Sequence, residues 1–153
     1  MWFSILMALG AGAAIALQAS LNAKLGVLLD SALAATVIAF AVAFVTSTAI
    51  MLSYGSMNIS GDMVTSVPAY LWVAGGVISA MGVGISYYLI PKMGMGSMMS
   101  LVLSGQIMTA AAIGHWRWFG LPENPLTFER CAGLVLMIAG ILLFNRGAQK
   151  YGS

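Results

Sequence analysis

The side chains able to do chemistry in this sequence are few, and almost all of them are neutral. Gln18 and Asn22 stand four residues apart, which puts both amides on one face of a helix, with Lys24 just beyond them. Gln106 falls near the middle of an apolar stretch that also holds Ser97, Ser100, Ser104 and Thr109. An amide carries donors and an acceptor, and leaving it unpaired in an apolar medium costs several kcal/mol. Each must therefore face a neighbouring helix or a solute. Two readings stay open for Gln106: a helix-to-helix hydrogen bond, worth about 0.6 kcal/mol in lipid, or the wall of a substrate cavity. Amides, hydroxyls and aromatic rings suit a neutral, zwitterionic or aromatic solute better than a bare ion.

The remaining reactive types point away from catalysis. His115 is the only imidazole and closes an apolar stretch, so it reads as an interfacial anchor ahead of a proton shuttle. Met93, Met95, Met98 and Met99 crowd together. Thioethers can hold a soft metal such as Cu(I), but no His or Cys accompanies them, and filling irregular gaps is the preferred reading. Cys131 stands alone and can form neither an intrachain disulfide nor a paired-thiol metal site. No metal or other cofactor is expected. No Ser/His, Asp/Asp or metal-ligand set lies within an apolar stretch, so an enzyme is not expected either. Six basic residues without a run exclude nucleic acid as a partner.

These residues need elements to hold them, and composition decides which kind. Of 153 residues, 61% are hydrophobic and 7% charged, too little polar surface for a water-facing exterior. The surroundings must be lipid, where an unclosed chain satisfies its backbone only as helices of about 20 apolar residues. Charge-free intervals give five spans in a single domain over residues 1–153: approximately 2–23, 33–53, 69–90, 95–115 and 127–145. A leader peptide could resemble the first, but no Lys or Arg precedes its apolar run. Residues 54–68 read as a connector. Pro91, Lys92, Met93 and Gly94 predict a tight hairpin, with Pro91 ending the third span. The fold class is all-α integral membrane, a five-helix bundle. No Asp, Glu, Lys or Arg sits mid-span, which argues against a carboxylate-based proton exchanger. Small residues recur at helical spacing as Ala8, Gly12 and Ala16, as Ala35, Ala39, Ala43 and Ser47, and as Gly76, Ala80 and Gly84. Such stripes let helices approach closely in lipid.

Gly10 to Gly26, reading GAGAAIALQASLNAKLG, then Ile90 to Gly94, then Ser104-Gly105-Gln106, and finally His115 to Pro122, reading HWRWFGLP, follow one another in an order that resembles the YdcZ-like branch of the drug/metabolite transporter superfamily. The resemblance implies a bacterial inner-membrane protein equivalent to one half of a ten-helix transporter of two inverted five-helix repeats. It also implies a dimer, because such folds place the substrate at the repeat interface. The amide motifs carry over to Gln18, Asn22 and Gln106. Relatives tend to hold an acid just before the histidine, where this chain has Gly114.

The leading expectation is therefore a transporter or facilitator of a small solute, working as a dimer with a cavity at mid-membrane depth. The alternative is a non-transporting membrane subunit or assembly partner whose polar residues only pack helices. With the N-terminus outside and the C-terminus cytoplasmic, Lys24, Lys92, Arg146 and Lys150 fall inside, and Arg117 and Arg130 outside, the distribution the positive-inside rule favours. The partner is a second copy, some of them inverted, or a five-helix homologue of opposite bias.

Overall fold

The computed structural model describes residues 2–55, 60–121 and 123–151, with side chains up to residue 147. Pro122 and the Lys150 side chain lie outside this set. The described elements are helices: α1 (Trp2–Leu28), α2 (Ala32–Ser53), α3 (Gly61–Ser66), α4 (Ala69–Met93), α5 (Met95–His115) and α6 (Phe128–Tyr151), with a 3-10 turn at Trp118–Gly120. Five are long and apolar enough to cross a membrane, Trp2–Leu28, Ala32–Ser53, Ala69–Met93, Met95–His115 and Phe128–Gly147. This is the five-helix membrane bundle expected. The chain divides into two compact units at Lys92, and each is described by itself.

In the first unit, α1 runs five residues past the expected end of its span, because Lys24 interrupts hydropathy but not helix geometry. At about 1.5 Å per residue it is some 40 Å long, more than the roughly 30 Å hydrocarbon core requires. It stops where Asp30 turns left-handed (φ 50°). The Ser31 N–H then donates to the Gly26 carbonyl at 2.9 Å and the Asp30 N–H to Val27 at 3.2 Å. That pair of bonds caps the helix, with aspartate in a position glycine usually fills. Ser31 also starts α2, its hydroxyl accepting from the Ala34 N–H at 3.1 Å.

This three-residue connection, Leu29 to Ser31, forces α1 and α2 together, and the small residues beside it allow the approach. Ala19, Ala23 and Gly26 are buried on α1, and Ala35 and Thr36 on α2. A side chain at Gly26 would meet the Ala32 backbone at 3.2 Å. The third helix joins at the same end: a side chain at Gly84 would meet the Thr36 hydroxyl at 3.3 Å, and Tyr87 and Ile90 of α4 are buried. The opposite end is different. Ala8, Ala43, Ser47 and Ala80 are exposed, and Gly12 and Gly76 have nothing within 4 Å of where a side chain would begin. Only the halves of the stripes next to the Asp30 turn pack within this unit.

Two local differences from the sequence reading have plain causes. The 54–68 connector contains α3, which Ser60 caps by accepting from the Met63 N–H at 3.4 Å. The helix α4 continues through Pro91 to Met93. A proline so close to a helix end withholds a single N–H from the ladder, and a membrane helix tolerates it. The turn falls on Gly94 alone, at φ 82° and ψ 153°, a conformation that needs glycine.

The second unit pairs α5 with α6. The Phe144 ring lies 3.3 Å from where a side chain at Gly96 would begin, and at the other end the Asn124 N–H donates to the Gly114 carbonyl at 2.9 Å. Between them the chain follows Trp116 to Gly120, with Arg117, Phe119 and Gly120 all at positive φ. Stacking of Trp116 on Trp118, ring centres 5.6 Å apart, fills this corner, and aromatic rings of this kind favour the headgroup level.

Replacing Gly26 with Leu should lower stability by about 1–3 kcal/mol, the usual penalty of overpacking, whereas Gly10→Leu, off the small-residue stripe and with nothing within 4 Å of where its side chain would begin, should leave it unchanged. Thermal midpoints of the two purified variants check this; equal midpoints would remove the close approach as the source of α1–α2 packing.

Candidate functional site

The first unit brings Gln18 and Asn22 together and adds a partner that sequence reasoning missed. Asn22 Nδ2 donates to Gln18 Oε1 at 2.9 Å and to the Tyr87 hydroxyl, also at 2.9 Å. Tyr87 in turn donates to Gln18 Oε1 at 3.2 Å. Helix spacing sets the first bond; the crossing of α1 and α4 sets the other two. Tyr87 is 2% exposed, Asn22 half-buried and Gln18 exposed, so the triangle runs from the helix interface out to an accessible face. Both Asn22 amide hydrogens and the Gln18 oxygen are used. The Gln18 amide donors and the Asn22 oxygen have no partner among the described residues. The signal for the role of Tyr87 was that a half-buried amide pair needs a third polar group. Beside it, Tyr88 meets Lys92, whose ammonium sits 3.6 Å from the ring centre and is hydrogen-bonded to the phenol oxygen. Pro91 has no N–H to offer the Tyr87 carbonyl, which loses its usual donor four residues on.

Gln106 belongs to the second unit, near the middle of α5, with its side chain exposed and unbonded among the described residues. The bond between α5 and α6 falls instead on Ser100, whose hydroxyl accepts from Asn145 Nδ2 at 3.0 Å while Asn145 also donates to the Ile141 carbonyl at 2.9 Å. In the sequence Asn145 marks only the end of the last predicted span, 127–145. Met98 is 1% exposed, a packed residue of the methionine cluster. Cys131 is exposed.

A cavity of about 360 Å³ opens between Ile107, Ala110 and Ala111 of α5 and Gly133, Leu134 and Met137 of α6. Asn124, Leu126 and Arg130 complete its wall, and Gln106 is not part of it. His115 Nδ1 accepts from the Leu126 N–H at 3.4 Å and its ring meets Trp116 edge-on at 5.7 Å, which ties the connecting segment to α5. The glycine before it also has a physical basis. A side chain at Gly114 would start 3.1 Å from Asn124 Cβ, so an acid there would require the 123–126 segment to move.

Five helices able to span a membrane, with polar clusters made of neutral amides and hydroxyls, define a small multi-pass membrane protein. Residues 3–143 match the family titled "Putative inner membrane exporter, YdcZ", and the chain belongs to that family. No curated protein and no solved structure matches it. The match bears out the resemblance, the inner-membrane location and the transport role.

Tyr87→Phe removes the group that is both acceptor to Asn22 and donor to Gln18, yet leaves ring packing intact. The expected loss is about 1 kcal/mol or somewhat more of stability, and Asn22→Ala should add little to it because the two act through one cluster. A double-mutant cycle on thermal midpoints measures the coupling; full additivity would dissolve the triangle.

Proposed function

We propose that this chain carries a small neutral, zwitterionic or aromatic solute across the inner membrane, working as a dimer with a cavity at mid-depth, and that Gln18, Asn22 and Gln106 contact the solute. The observation that carries the reading is the unfinished valence of the Gln18–Asn22–Tyr87 triangle. The hydrogen bonds within the triangle use both Asn22 amide hydrogens and the Gln18 oxygen, while the Gln18 amide donors and the Asn22 oxygen have no partner among the described residues. A ligand offering one acceptor and one donor satisfies both, and a bare ion satisfies only one. Gln106 supplies a second free amide near the middle of α5. Neutral groups of this type bind polar solutes without the large desolvation penalty of a buried charge.

Two features support the dimer. Five helices make half of a ten-helix transporter, whose substrate lies between repeats. The first unit also leaves Gly12, Gly76 and their small neighbours without a packing partner, and small-residue faces are what membrane helices use to associate. The partner is a second copy or a five-helix homologue. With the N-terminus outside, Lys24, Lys92 and Arg146 lie in the cytoplasm, on the side favoured for basic residues.

A thermal-shift screen of the purified protein against neutral, zwitterionic and aromatic metabolites should yield a stabilising compound. Asn22→Leu or Gln106→Leu should abolish that stabilisation and the transport of the compound in proteoliposomes, with the ligand-free midpoint held within a few degrees. Normal transport by both variants would assign these amides to helix packing alone.

Topology is tested by cysteines introduced at Gly61 and Gln149 in a Cys131→Ala background. Labelling of intact cells from outside at position 61 alone indicates one orientation and rules out the inverted homodimer. Labelling at both positions indicates copies in both orientations.

A further inference from the structure

The cavity between α5 and α6 is lined mostly by apolar residues, yet its wall includes Arg130 and Asn124. We propose that it is a binding site for one anionic phospholipid, with the headgroup phosphate on Arg130 and the upper part of one acyl chain between the helices. This site is separate from the amide clusters, and the proposal stands or falls independently of the solute reading.

Three observations converge on that occupant. The first is charge. The two arginines at this end differ, because Arg117 Nη1 lies 3.5 Å from Glu123 Oε2, whereas Arg130 has no carboxylate partner among the described residues. Its Nη1 donates only to the Pro125 carbonyl, at 3.3 Å, which leaves most of a planar five-donor group for another acceptor. Phosphate matches that fork. The amide of Asn124, on the same wall, is unbonded among the described residues and offers the headgroup a further donor.

Depth is the second. Arg130 is in the first turn of α6, and the segment that leads into that helix carries Trp116 and Trp118, residue types that mark the level where headgroups lie. From there the lining continues along α6 through Gly133 and Leu134 to Met137, about 10 Å further into the span at helical rise. A cation at the headgroup level with an apolar cleft leading inward reproduces the order of parts in a phospholipid. Space is the third. Nothing lies within 4 Å of where a side chain at Gly133 would begin, so the cleft is kept open at the midpoint of its α6 wall. Its volume, about 360 Å³, is at the small end of sites that enclose a ligand, enough for part of one chain and not for two.

Native mass spectrometry of the full-length protein in an uncharged detergent tests the assignment with three probes, phosphatidylglycerol, phosphatidylcholine and laurate. Phosphatidylglycerol should bind one to one and about tenfold or more tighter than phosphatidylcholine, as a charge-assisted pair implies. Arg130→Gln should erase that preference, and Arg117→Gln, whose cation is already paired, should keep it. Gly133→Leu places a side chain into the cleft from a position whose Cβ meets nothing within 4 Å, and should weaken phosphatidylglycerol binding by a similar factor. It remains decisive if Arg130→Gln fails to fold. Equal binding of the two phospholipids, full binding by folded Gly133→Leu, or binding of laurate with no phosphatidylglycerol would each overturn the lipid assignment, the last in favour of a free lipophilic carboxylate.

Discussion

Lipid offers a polypeptide no hydrogen-bond partner, and the rest of this structure follows from how the chain meets that condition. Backbone groups are satisfied by making nearly every element a helix, and hydrophobicity, which surrounds each helix equally, then gives no reason for one to prefer another over lipid. Association must come from close backbone approach and from side-chain hydrogen bonds. Both are used sparingly. Gly26, Ala35 and Gly84 supply the approach, and Asn22 with Tyr87, and Ser100 with Asn145, supply the bonds.

The same condition explains why the polar clusters sit where they do. A helix end is already an interruption of the hydrogen-bond ladder, and the Gln18–Asn22–Tyr87 triangle lies within two or three turns of the Asp30 turn and of Pro91. Polar groups are gathered where backbone valences are being rearranged. In the second unit the Gly114–Asn124 contact and the His115–Leu126 bond do the corresponding work.

Much of this was legible in the sequence, and the boundary of legibility has a physical form. Charge-free intervals located five helices, since length and polarity are properties of single segments. Lys24 and Pro91 misled as to where α1 and α4 end, because each counts in hydropathy or propensity but leaves most of the ladder intact. The pairing of Gln18 with Asn22 is set by helical spacing and could be read directly. Tyr87, some 65 residues away from Asn22, and Asn145, 45 away from Ser100, depend on which helix faces meet, and with apolar residues on every side no periodicity marks those faces. The cavity was invisible for the same reason: Gly133 and Ala110 become its walls only once α5 and α6 are set side by side.

The one-ended packing of the first unit makes α1 a lever. Its buried residues lie between Ala19 and Gly26, next to a connection of three residues, and its other end has no packed neighbour in that unit. From Gly26 to Trp2 the helix extends about 36 Å. A tilt of about 10° at the packed end would therefore carry Trp2 sideways by about 6 Å, further than the rise of a full helical turn. A small rearrangement beside the amide triangle, such as a repacking of Tyr87, would thus be enlarged toward Trp2 without any helix having to unwind.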